Sequence, residues 1–364
     1  FPVTPIIATQ WAAETALLQK DVAATATFLP GGRAPRAGEW FANPDYAATL
    51  ETIARDGIGT FYGGALGRRI AAHLASLDGF VTLEDLRQNA PTWVTPISVT
   101  FRGHRVWELP PNNQGIAALE MLRILEPYDL RALGHNTAPY LHLLIEAKKL
   151  AYADLRRFVG DADHLEMPAE AMLTDAFIAE RRSRIDPAKA QSRVDPGPSR
   201  TAGDTIYLTT ADADGNMVSF INSTFDAFGS GVVVPGTGFA LHNRGAAFTL
   251  TPGLPNTAAP GKRPFHTLIP AFVTRSDGGR EQPYISFGLM GGGMQAQGHV
   301  QFLLNHLVFG MDVQQAIDAA RFRHLDGLRV AIESPVGDDV RASLTALGHV
   351  LVDEGPVPFG GAQA

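Results

Sequence analysis

The sequence contains no cysteine among its 364 residues. This absence excludes disulfide bonds, zinc sites built from thiolates and a cysteine nucleophile within this chain. No apolar run approaches the roughly 18 residues of a membrane-spanning helix. The net charge is -7, without a long run of one sign, so neither nucleic acid nor an anionic membrane is an expected partner. These absences favour a globular protein that acts on small molecules.

The two ends of the sequence also lack familiar features. Residues 1–5 have no start methionine and show neither the basic nor the apolar segment of a signal peptide. The compartment therefore stays open, with the cytoplasm favoured over the periplasm. Residues 1–5 and 359–364 resemble the interior of a longer sequence, and we expect chain to be missing at both ends.

Hydrophobic periodicity predicts a sheet sandwich flanked by helices. A period near 3.6 residues predicts helices at 44–77 with a break at 57–59, 116–125, 137–158, 295–309 and 313–322. Alternation or short β-rich runs predict strands at 97–101, 106–109, 206–210, 217–224, 231–234, 268–273 and 284–287. Between the two halves, residues 186–203 hold three prolines and little apolar content, which indicates an exposed linker.

Thr205 opens the strand that follows this linker, and Asp214 with Gly215 predicts a tight hairpin turn after it. A threonine hydroxyl becomes a strong nucleophile only with a base beside it, and a cut before Thr205 would supply its own α-amine. Downstream, the glycine-rich run 288–293 lies between a predicted strand and a predicted helix. That run is either a packing turn or a set of N–H donors for an oxyanion.

Other constellations carry weaker signals. The acidic turn at 212–216 resembles a calcium loop, but Met217 and Ser223 stand where such a loop needs glycine and glutamate. His299 and His306 lie seven residues apart, without the i, i+4 spacing of a zinc helix. A Ser/His/Asp site stays an open alternative, although no Gly-x-Ser-x-Gly elbow occurs. We therefore predict no metal site and no cofactor.

Thr205, followed by the Asp-x-Asp-Gly-Asn turn at 212–216, resembles the start of the small subunit in the γ-glutamyltranspeptidase family of N-terminal nucleophile hydrolases. The resemblance continues through ordered landmarks at 61–64, 110–115, 146–154, 160–161, 228–231, 241–243, 261–264 and 291–292. It covers nearly the whole chain. It implies an α+β fold, a four-layer αββα sandwich of the N-terminal nucleophile hydrolase type.

The resemblance also implies a mechanism. The precursor would cut itself between Asp204 and Thr205 when the Thr205 hydroxyl attacks the preceding carbonyl. Thr205 would then attack the substrate amide, using its new amine as base, while the N–H groups of Gly291 and Gly292 hold the oxyanion. Ser223 aligns with the hydroxyl residue that assists the nucleophile.

The resemblance further implies two subunits that form one structural domain. Residues 1–204 would be the C-terminal part of a large subunit whose N-terminal part is absent, and 205–364 a small subunit with a shortened C-terminus. The expected partners are a small-molecule amide, water or an amine as acceptor, and the two subunits themselves as a heterodimer. A dimer of such heterodimers is an alternative.

The sequence departs from the family where the acyl group binds. Members that bind γ-glutamyl groups usually carry a Ser-Ser pair shortly after the Arg-Pro, where this chain has His266 and Thr267. After Asn243, the segment expected to hold an α-ammonium begins with Arg244 and contains no acidic residue or glutamine. The expected substrate therefore has a carboxylate but no free α-amino group, as in the branch acting on oxamate or glutaryl-type amides. A true γ-glutamyltransferase and a catalytically inactive homologue are the alternatives.

Overall fold

The computed structural model describes residues 1–192, 204–354 and 359–364. The chain divides into two compact units. Unit 1 comprises Phe1–Trp93 and Asp226–Asn243, and unit 2 comprises Val94–Phe225 and Arg244–Ala364. The division into subunits at 204/205 does not coincide with a unit boundary and stays a prediction. Among the described helices, none combines the length and the apolar character needed to cross a bilayer.

Unit 1 is helical. Its helices are α1 (Pro5–Ala13), α2 (Thr15–Leu18), α3 (Val22–Phe28), α4 (Pro44–Asp56), α5 (Gly59–Tyr62), α6 (Ala65–Ser76) and α7 (Leu83–Gln88). The Asn43 side chain caps α4 by accepting a hydrogen bond from the Tyr46 N–H. Gly57 ends α4 with a φ of 79°, a conformation that glycine adopts without strain. This break confirms the helices predicted within 44–77.

An aromatic cluster forms the core of unit 1. The ring of Trp11 lies 4.8 Å from that of Phe41 and 5.3 Å from that of Phe228, between centroids. Val233, which is fully buried, packs in the same cluster. The predicted strand at 231–234 is wrong, because Val233 forms only an isolated bridge with Ala240. Its apolar run is buried as a loop, and burial without periodicity does not distinguish the two.

Unit 2 carries the sheets. Its strands are β1 (Ile97–Phe101), β2 (His104–Glu108), β3 (Asp204–Ala211), β4 (Met217–Phe225), β5 (Ala271–Asp277), β6 (Arg280–Met290), β7 (Phe322–His324), β8 (Arg329–Ile332), β9 (Val350–Val352) and β10 (Gly361–Gln363). The main sheet is antiparallel, in the order β1-β2-β5-β6-β10. Strands β3 and β4 form a separate hairpin, and β7-β8-β9 form a small third sheet.

The helices of unit 2 are α8 (Gly115–Leu125), α9 (Leu130–Leu133), α10 (Ala138–Phe158), α11 (Asp175–Ser183), α12 (Met294–Leu307), α13 (Val313–Asp318) and α14 (Asp338–Ala346). Helices α8 and α12 lie against the main sheet, and α10 packs on α8. The β3–β4 hairpin packs against β6. Its other face exposes Ile206, Leu208, Val218 and Phe220. Helices, main sheet and hairpin are therefore successive layers around one large apolar core.

Two boundaries in unit 2 differ from the sequence prediction. The helix predicted to reach Phe322 ends at Asp318, and Phe322 instead opens β7 opposite Ile332. The strand predicted from 268 begins at Ala271, after Pro270, because proline cannot donate to a strand ladder. Residues 193–203 of the predicted linker lie outside the described residues.

Candidate active site

Thr205 lies near the start of β3 with its side chain turned into unit 2. It is 4% exposed, whereas the next residue, Ile206, is 65% exposed, as expected for alternating faces of a strand. The buried Thr205 hydroxyl has no hydrogen-bond partner among the described residues. Buried polar groups nearly always have a partner, and unpaired ones concentrate at functional positions. Among the described residues, no group therefore holds the Thr205 hydroxyl in place.

The hairpin is irregular beside Thr205. Thr205 lies opposite Ser223, but Asp204 lies opposite Phe225, so the register shifts between Asp204 and Thr205. Phe225 has a φ of 83°, which is strained for an aromatic residue. The Phe225 N–H donates to the Ser223 hydroxyl oxygen at 2.8 Å. Ser223 therefore supports a bulge at the peptide bond that was predicted to be cut.

Contacts with β6 show where Thr205 lies. The Thr209 hydroxyl donates to the Ser286 hydroxyl at 2.7 Å, and the Tyr207 ring covers Gly288. A step of two residues towards the start of β3, from Thr209 to Tyr207, thus corresponds to a step of two residues towards the end of β6, from Ser286 to Gly288. If the same register continues to Thr205, that residue lies near the end of β6, where the glycine turn begins. The sequence offered only the absence of a side chain at Gly288 as a signal of this packing.

The glycine turn joins β6 to α12. Gly291 and Gly292 have φ values of 131° and 56°, which favour glycine over any other residue. The Gly291 carbonyl accepts from the Met294 N–H at 2.9 Å, and the Gly292 carbonyl from the Gln295 N–H at 3.2 Å. With successive backbone groups in left-handed conformation, such a turn can aim N–H groups at one anion. The predicted oxyanion donors Gly291 and Gly292 thus follow directly on the end of β6.

Two residues that received no role from the sequence support this turn. The Gln114 amide nitrogen donates at 2.9 Å to the Gly292 carbonyl, and the Tyr152 hydroxyl donates at 2.7 Å to the Gly293 carbonyl. Gln114 belongs to the 110–115 landmark and Tyr152 to the 146–154 landmark. The only available signal was their place in these segments, since their partners are distant in the sequence.

The predicted acyl-binding residues of unit 2 lie close together. Arg244 is buried, and its guanidinium lies 5.1 Å from the centre of the Phe225 ring. Burial, with the positive charge of Arg244, lowers the pKa of His266 to about 4, so the imidazole is neutral near pH 7. Thr267 is buried, and its carbonyl accepts from the Gln114 amide at 2.9 Å. The Arg244 guanidinium thus adjoins the bulge beside Thr205, and the neutral His266 lies within range of the charge of Arg244.

Asn243, the remaining predicted substrate residue, belongs to unit 1. Its amide nitrogen donates to an Asp226 carboxylate oxygen at 2.7 Å, and its oxygen accepts from the Asp226 N–H at 3.1 Å. These bonds fasten the two ends of the 226–243 segment. The predicted role of Asn243 in substrate binding stays a prediction.

Three buried side chains of unit 2 have the composition of a metal site. Ligand atoms of His142, Glu146 and His349 lie within 4.8 Å of one another. However, the Lys149 ammonium forms an ion pair with the Glu146 carboxylate at 2.7 Å. The rings of His142 and His349 form a hydrogen bond with each other at 2.8 Å. The His142 ring also contacts the Asp186 carbonyl at 2.8 Å. The protein's own groups therefore satisfy most of this cluster.

Comparison with known proteins shows which family the chain resembles. Residues 1–364 match the family described as Gamma-glutamyltranspeptidase. A glutathione hydrolase-like proenzyme of Bacillus subtilis is 36% identical over 332 residues, which cover 89% of this chain and 61% of the relative. The oxamate amidohydrolase proenzyme of Klebsiella pneumoniae is 34% identical over 362 residues, which cover 97% of this chain and 66% of the relative. The chain thus spans less than two thirds of the length of these relatives.

A solved structure supports the same assignment. The crystal structure of cephalosporin acylase from Bacillus halodurans superposes with a TM-score of 0.91 and 41% sequence identity, covering 100% of this chain and 66% of the acylase. This match confirms the predicted α+β fold of the N-terminal nucleophile hydrolase type. The ordered landmarks, the fold and the two relatives agree, and the chain belongs to the gamma-glutamyltranspeptidase family.

Proposed function

We propose that the protein is a self-processing amidohydrolase or acyltransferase whose nucleophile is the N-terminal threonine created at Thr205. The observation that carries this proposal is the buried Thr205 hydroxyl without a hydrogen-bond partner among the described residues. It adjoins a register shift at the Asp204–Thr205 bond. A hydroxyl beside an irregular peptide bond, with the φ of 83° at Phe225 on the opposite strand, suits intramolecular attack.

Self-cleavage needs no outside reagent except water. The Thr205 hydroxyl oxygen attacks the Asp204 carbonyl carbon, and the C–N bond breaks as the hydroxyl proton reaches the nitrogen. The product is an ester between Asp204 and the Thr205 oxygen, with Thr205 now carrying a free amine. Water then hydrolyses the ester, leaving a carboxylate on Asp204 and restoring the hydroxyl. Residues 1–204 and 205–364 become the two subunits of a heterodimer.

Turnover uses the same hydroxyl. The Thr205 amine accepts the hydroxyl proton as the oxygen attacks the amide carbonyl of the substrate, and the N–H groups of Gly291 and Gly292 stabilise the oxyanion. The amine fragment leaves with that proton, and an acyl-enzyme ester remains. Water or an acceptor amine then takes the acyl group. Ser223 assists by holding the backbone beside the nucleophile.

The proposed substrate is an amide of a small acyl group that carries a carboxylate. Arg244 supplies a buried positive charge near the bulge, and His266 and Thr267 supply neutral donors in place of a serine pair. Relatives named oxamate amidohydrolase and acylase support this substrate class. A glutathione hydrolase is the second candidate, which the glutathione hydrolase-like relative favours.

Intact mass and N-terminal sequencing of the complete protein test the chemistry. We expect two fragments that meet at Asp204/Thr205, a single uncut chain for Thr205→Ala, and slower cutting for Thr205→Ser. A Thr205→Ala protein that is cut and active would overturn the proposal. A wild-type chain that stays whole after long incubation would instead favour the inactive homologue.

Substrate assays separate the two candidate activities. Oxamate and a glutaryl amide are compared with a γ-glutamyl anilide, the last with and without an acceptor dipeptide. Faster turnover of the amides without an α-amino group supports the proposed substrate class. Preference for the γ-glutamyl anilide, stimulated by the dipeptide, would support a γ-glutamyltransferase.

A further inference from the structure

We propose that Gln114 is the positioning residue of the oxyanion turn, and that it sets the distance between this turn and the acyl-binding segment. This inference rests on the function proposed above. The Gln114 side chain is almost fully buried. Its amide nitrogen donates to the carbonyls of both Thr267 and Gly292, each at 2.9 Å. One amide group therefore joins the segment that would bind the acyl group to the turn that would bind the oxyanion.

The orientation of this amide is determined by its partners. Both contacts are backbone carbonyl oxygens, which only accept hydrogen bonds, so the NH₂ end of Gln114 must face them. The two amide hydrogens are thereby both used. A side chain that supplies only one hydrogen, or none, would leave at least one of these two carbonyls without the donor that joins the two segments.

The base of Gln114 is rigid. Gln114 is the residue before α8, yet its side chain makes no capping hydrogen bond to that helix. The neighbouring Asn113 makes the local hydrogen bonds instead. Its side-chain oxygen accepts from the Gly115 N–H at 2.8 Å, and its side-chain nitrogen donates to the Pro110 carbonyl at 2.8 Å. Gln114 is consequently left to reach across to the glycine turn from a fixed backbone.

Tyr152 provides a second support from α10. Its hydroxyl donates to the Gly293 carbonyl at 2.7 Å and lies 3.5 Å from the Gln114 side-chain oxygen. Burial raises the pKa of Tyr152, so the hydroxyl keeps its proton and remains a donor. The carbonyls of two consecutive glycines are thus held by two side chains, one from the residue before α8 and one from α10.

The glycines need such outside restraint. Gly291 and Gly292 adopt φ values of 131° and 56°, and glycine can leave these values at little cost because it has no side chain. An oxyanion hole works only if its donors are already in place when charge develops. The Gly292 carbonyl that Gln114 holds adjoins the Gly292 N–H through a single Cα. Fixing that carbonyl therefore restricts the donor.

Kinetics of Gln114 variants in the complete, processed protein test the proposal. Gln114→Met keeps the approximate length of the side chain and removes both donors. We expect kcat for the amide substrate to fall about ten- to a hundredfold, since small misplacements of catalytic groups have effects of this size. KM should rise by a smaller factor than the fall in kcat, because Gln114 also holds the Thr267 carbonyl of the acyl-binding segment, whereas the oxyanion donors act only in the transition state. Unchanged kcat with a raised KM would overturn the role at the oxyanion turn.

Gln114→Glu gives a pH-dependent readout that general destabilisation would not produce. Between two carbonyl oxygens, the introduced carboxyl can donate one hydrogen bond only when it is protonated, and burial raises its pKa. The ratio of its kcat to the wild-type kcat should therefore rise as pH falls. A ratio that is flat or falls with decreasing pH contradicts the proposal.

Gln301 offers a matched control on α12. Its buried amide nitrogen also donates to two backbone carbonyls, those of Gln297 and Phe322, each at 3.1 Å. Gln301→Met likewise removes both amide donors of a buried glutamine, at a position outside the proposed machinery. We expect it to lower the free energy of unfolding as Gln114→Met does, with kcat near the wild-type value. Equal losses of kcat in the two variants would overturn the specific role of Gln114.

Hydrogen–deuterium exchange tests the restraint without any turnover. Peptides covering 288–294 and 264–268 should exchange faster in Gln114→Met than in wild type, and Gln301→Met should leave both unchanged. Unaltered exchange of 288–294 in Gln114→Met sinks the proposal even if the enzyme is active. If Gln114→Met exchanges faster than wild type although the wild-type chain neither cuts itself nor turns over substrate, the proposed function is refuted and the restraint by Gln114 stands.

Discussion

The aromatic ring of Tyr207 lies directly on Gly288, so closely that the structure has no room for a Cβ at position 288. Tyr207 belongs to β3, which contains the proposed nucleophile Thr205, and Gly288 belongs to β6, which ends at the glycine turn. The Tyr207 hydroxyl also lies 3.1 Å from that of Ser286. This contact therefore sets how near the hairpin approaches β6.

Gly288→Ala should disturb the site through this contact. The added methyl pushes the Tyr207 ring away and moves the start of β3, so we expect cleavage at Thr205 to slow at least about tenfold. The rate is measured by mass spectrometry of the freshly translated chain. Gly59→Ala, where an added Cβ meets nothing within 4 Å, is the control. If Gly288→Ala cleaves itself at the wild-type rate, the ring contact does not position Thr205.

Gly291→Ala and Gly293→Ala compare neighbouring positions of the turn. Gly291 has a φ of 131°, and a Cβ there would lie 3.2 Å from Gly360 Cα and from Met294 Cβ. Gly293 has a φ of -66° and open space around an added Cβ. We expect kcat to fall about a hundredfold or more in Gly291→Ala, the scale of losing an oxyanion donor, and to stay near wild type in Gly293→Ala. Equal activities would argue against an oxyanion role for Gly291.

Ser223→Ala removes the acceptor of the Phe225 N–H. Leaving that N–H without its partner costs about 1–3 kcal/mol at a residue held at positive φ. We expect slower self-cleavage and lower kcat, with substantial rescue by Ser223→Thr, which keeps a hydroxyl. Time courses of cleavage and steady-state rates measure both effects. If Ser223→Ala and wild type cleave equally fast, the hydroxyl does not support the bulge.

Arg244→Met tests the source of acyl specificity. Losing the buried guanidinium should raise KM for a glutaryl amide by about tenfold or more, the scale of one charged hydrogen bond. Self-cleavage should continue, since that step binds no outside carboxylate. Arg105→Met, whose guanidinium pairs with Glu281 at the surface, serves as the control. An unchanged KM would show that Arg244 does not bind the substrate carboxylate.

The buried His349 should make stability depend on pH. Burial, with the nearby charges of Lys149 and His142, lowers its pKa to about 3, well under the usual 6.5. The folded protein keeps His349 neutral, whereas the unfolded chain takes up a proton below about pH 6.5. The stabilisation is therefore complete above that pH and is lost as pH falls towards the folded pKa.

His349→Leu removes this proton linkage. Urea denaturation measures the free energy of unfolding of both proteins. The value for wild type minus the value for the variant should be larger at about pH 7.5 than at about pH 5. Leu344→Ala, at a fully buried apolar position, supplies a destabilised control whose deficit should not vary in this way. A constant difference between wild type and His349→Leu would contradict the lowered pKa.

Local patterns carried much of the fold. Alternation across 206–210 and the Asp-Gly pair predicted the hairpin that the structure shows as β3 and β4, with Gly215 at a φ of 83°. The helical period predicted α8, α10 and α12 within a few residues. The errors came where local pattern is ambiguous. The apolar run around Val233 is buried in a loop, and the run ending at Phe322 is divided between a helix and a strand.

The residue types of the proposed chemistry could be read from the amino-acid sequence: a threonine at the start of a hairpin, two glycines after a strand, and an arginine where the family usually has glutamine or acidic residues. How these residues are held became visible only in the folded chain. The hydrogen bonds of Gln114 to Thr267 and Gly292, and the ring of Tyr207 on Gly288, join residues far apart in the chain. Such contacts arise when separate elements pack into one core, and no local period or turn signal encodes the partner.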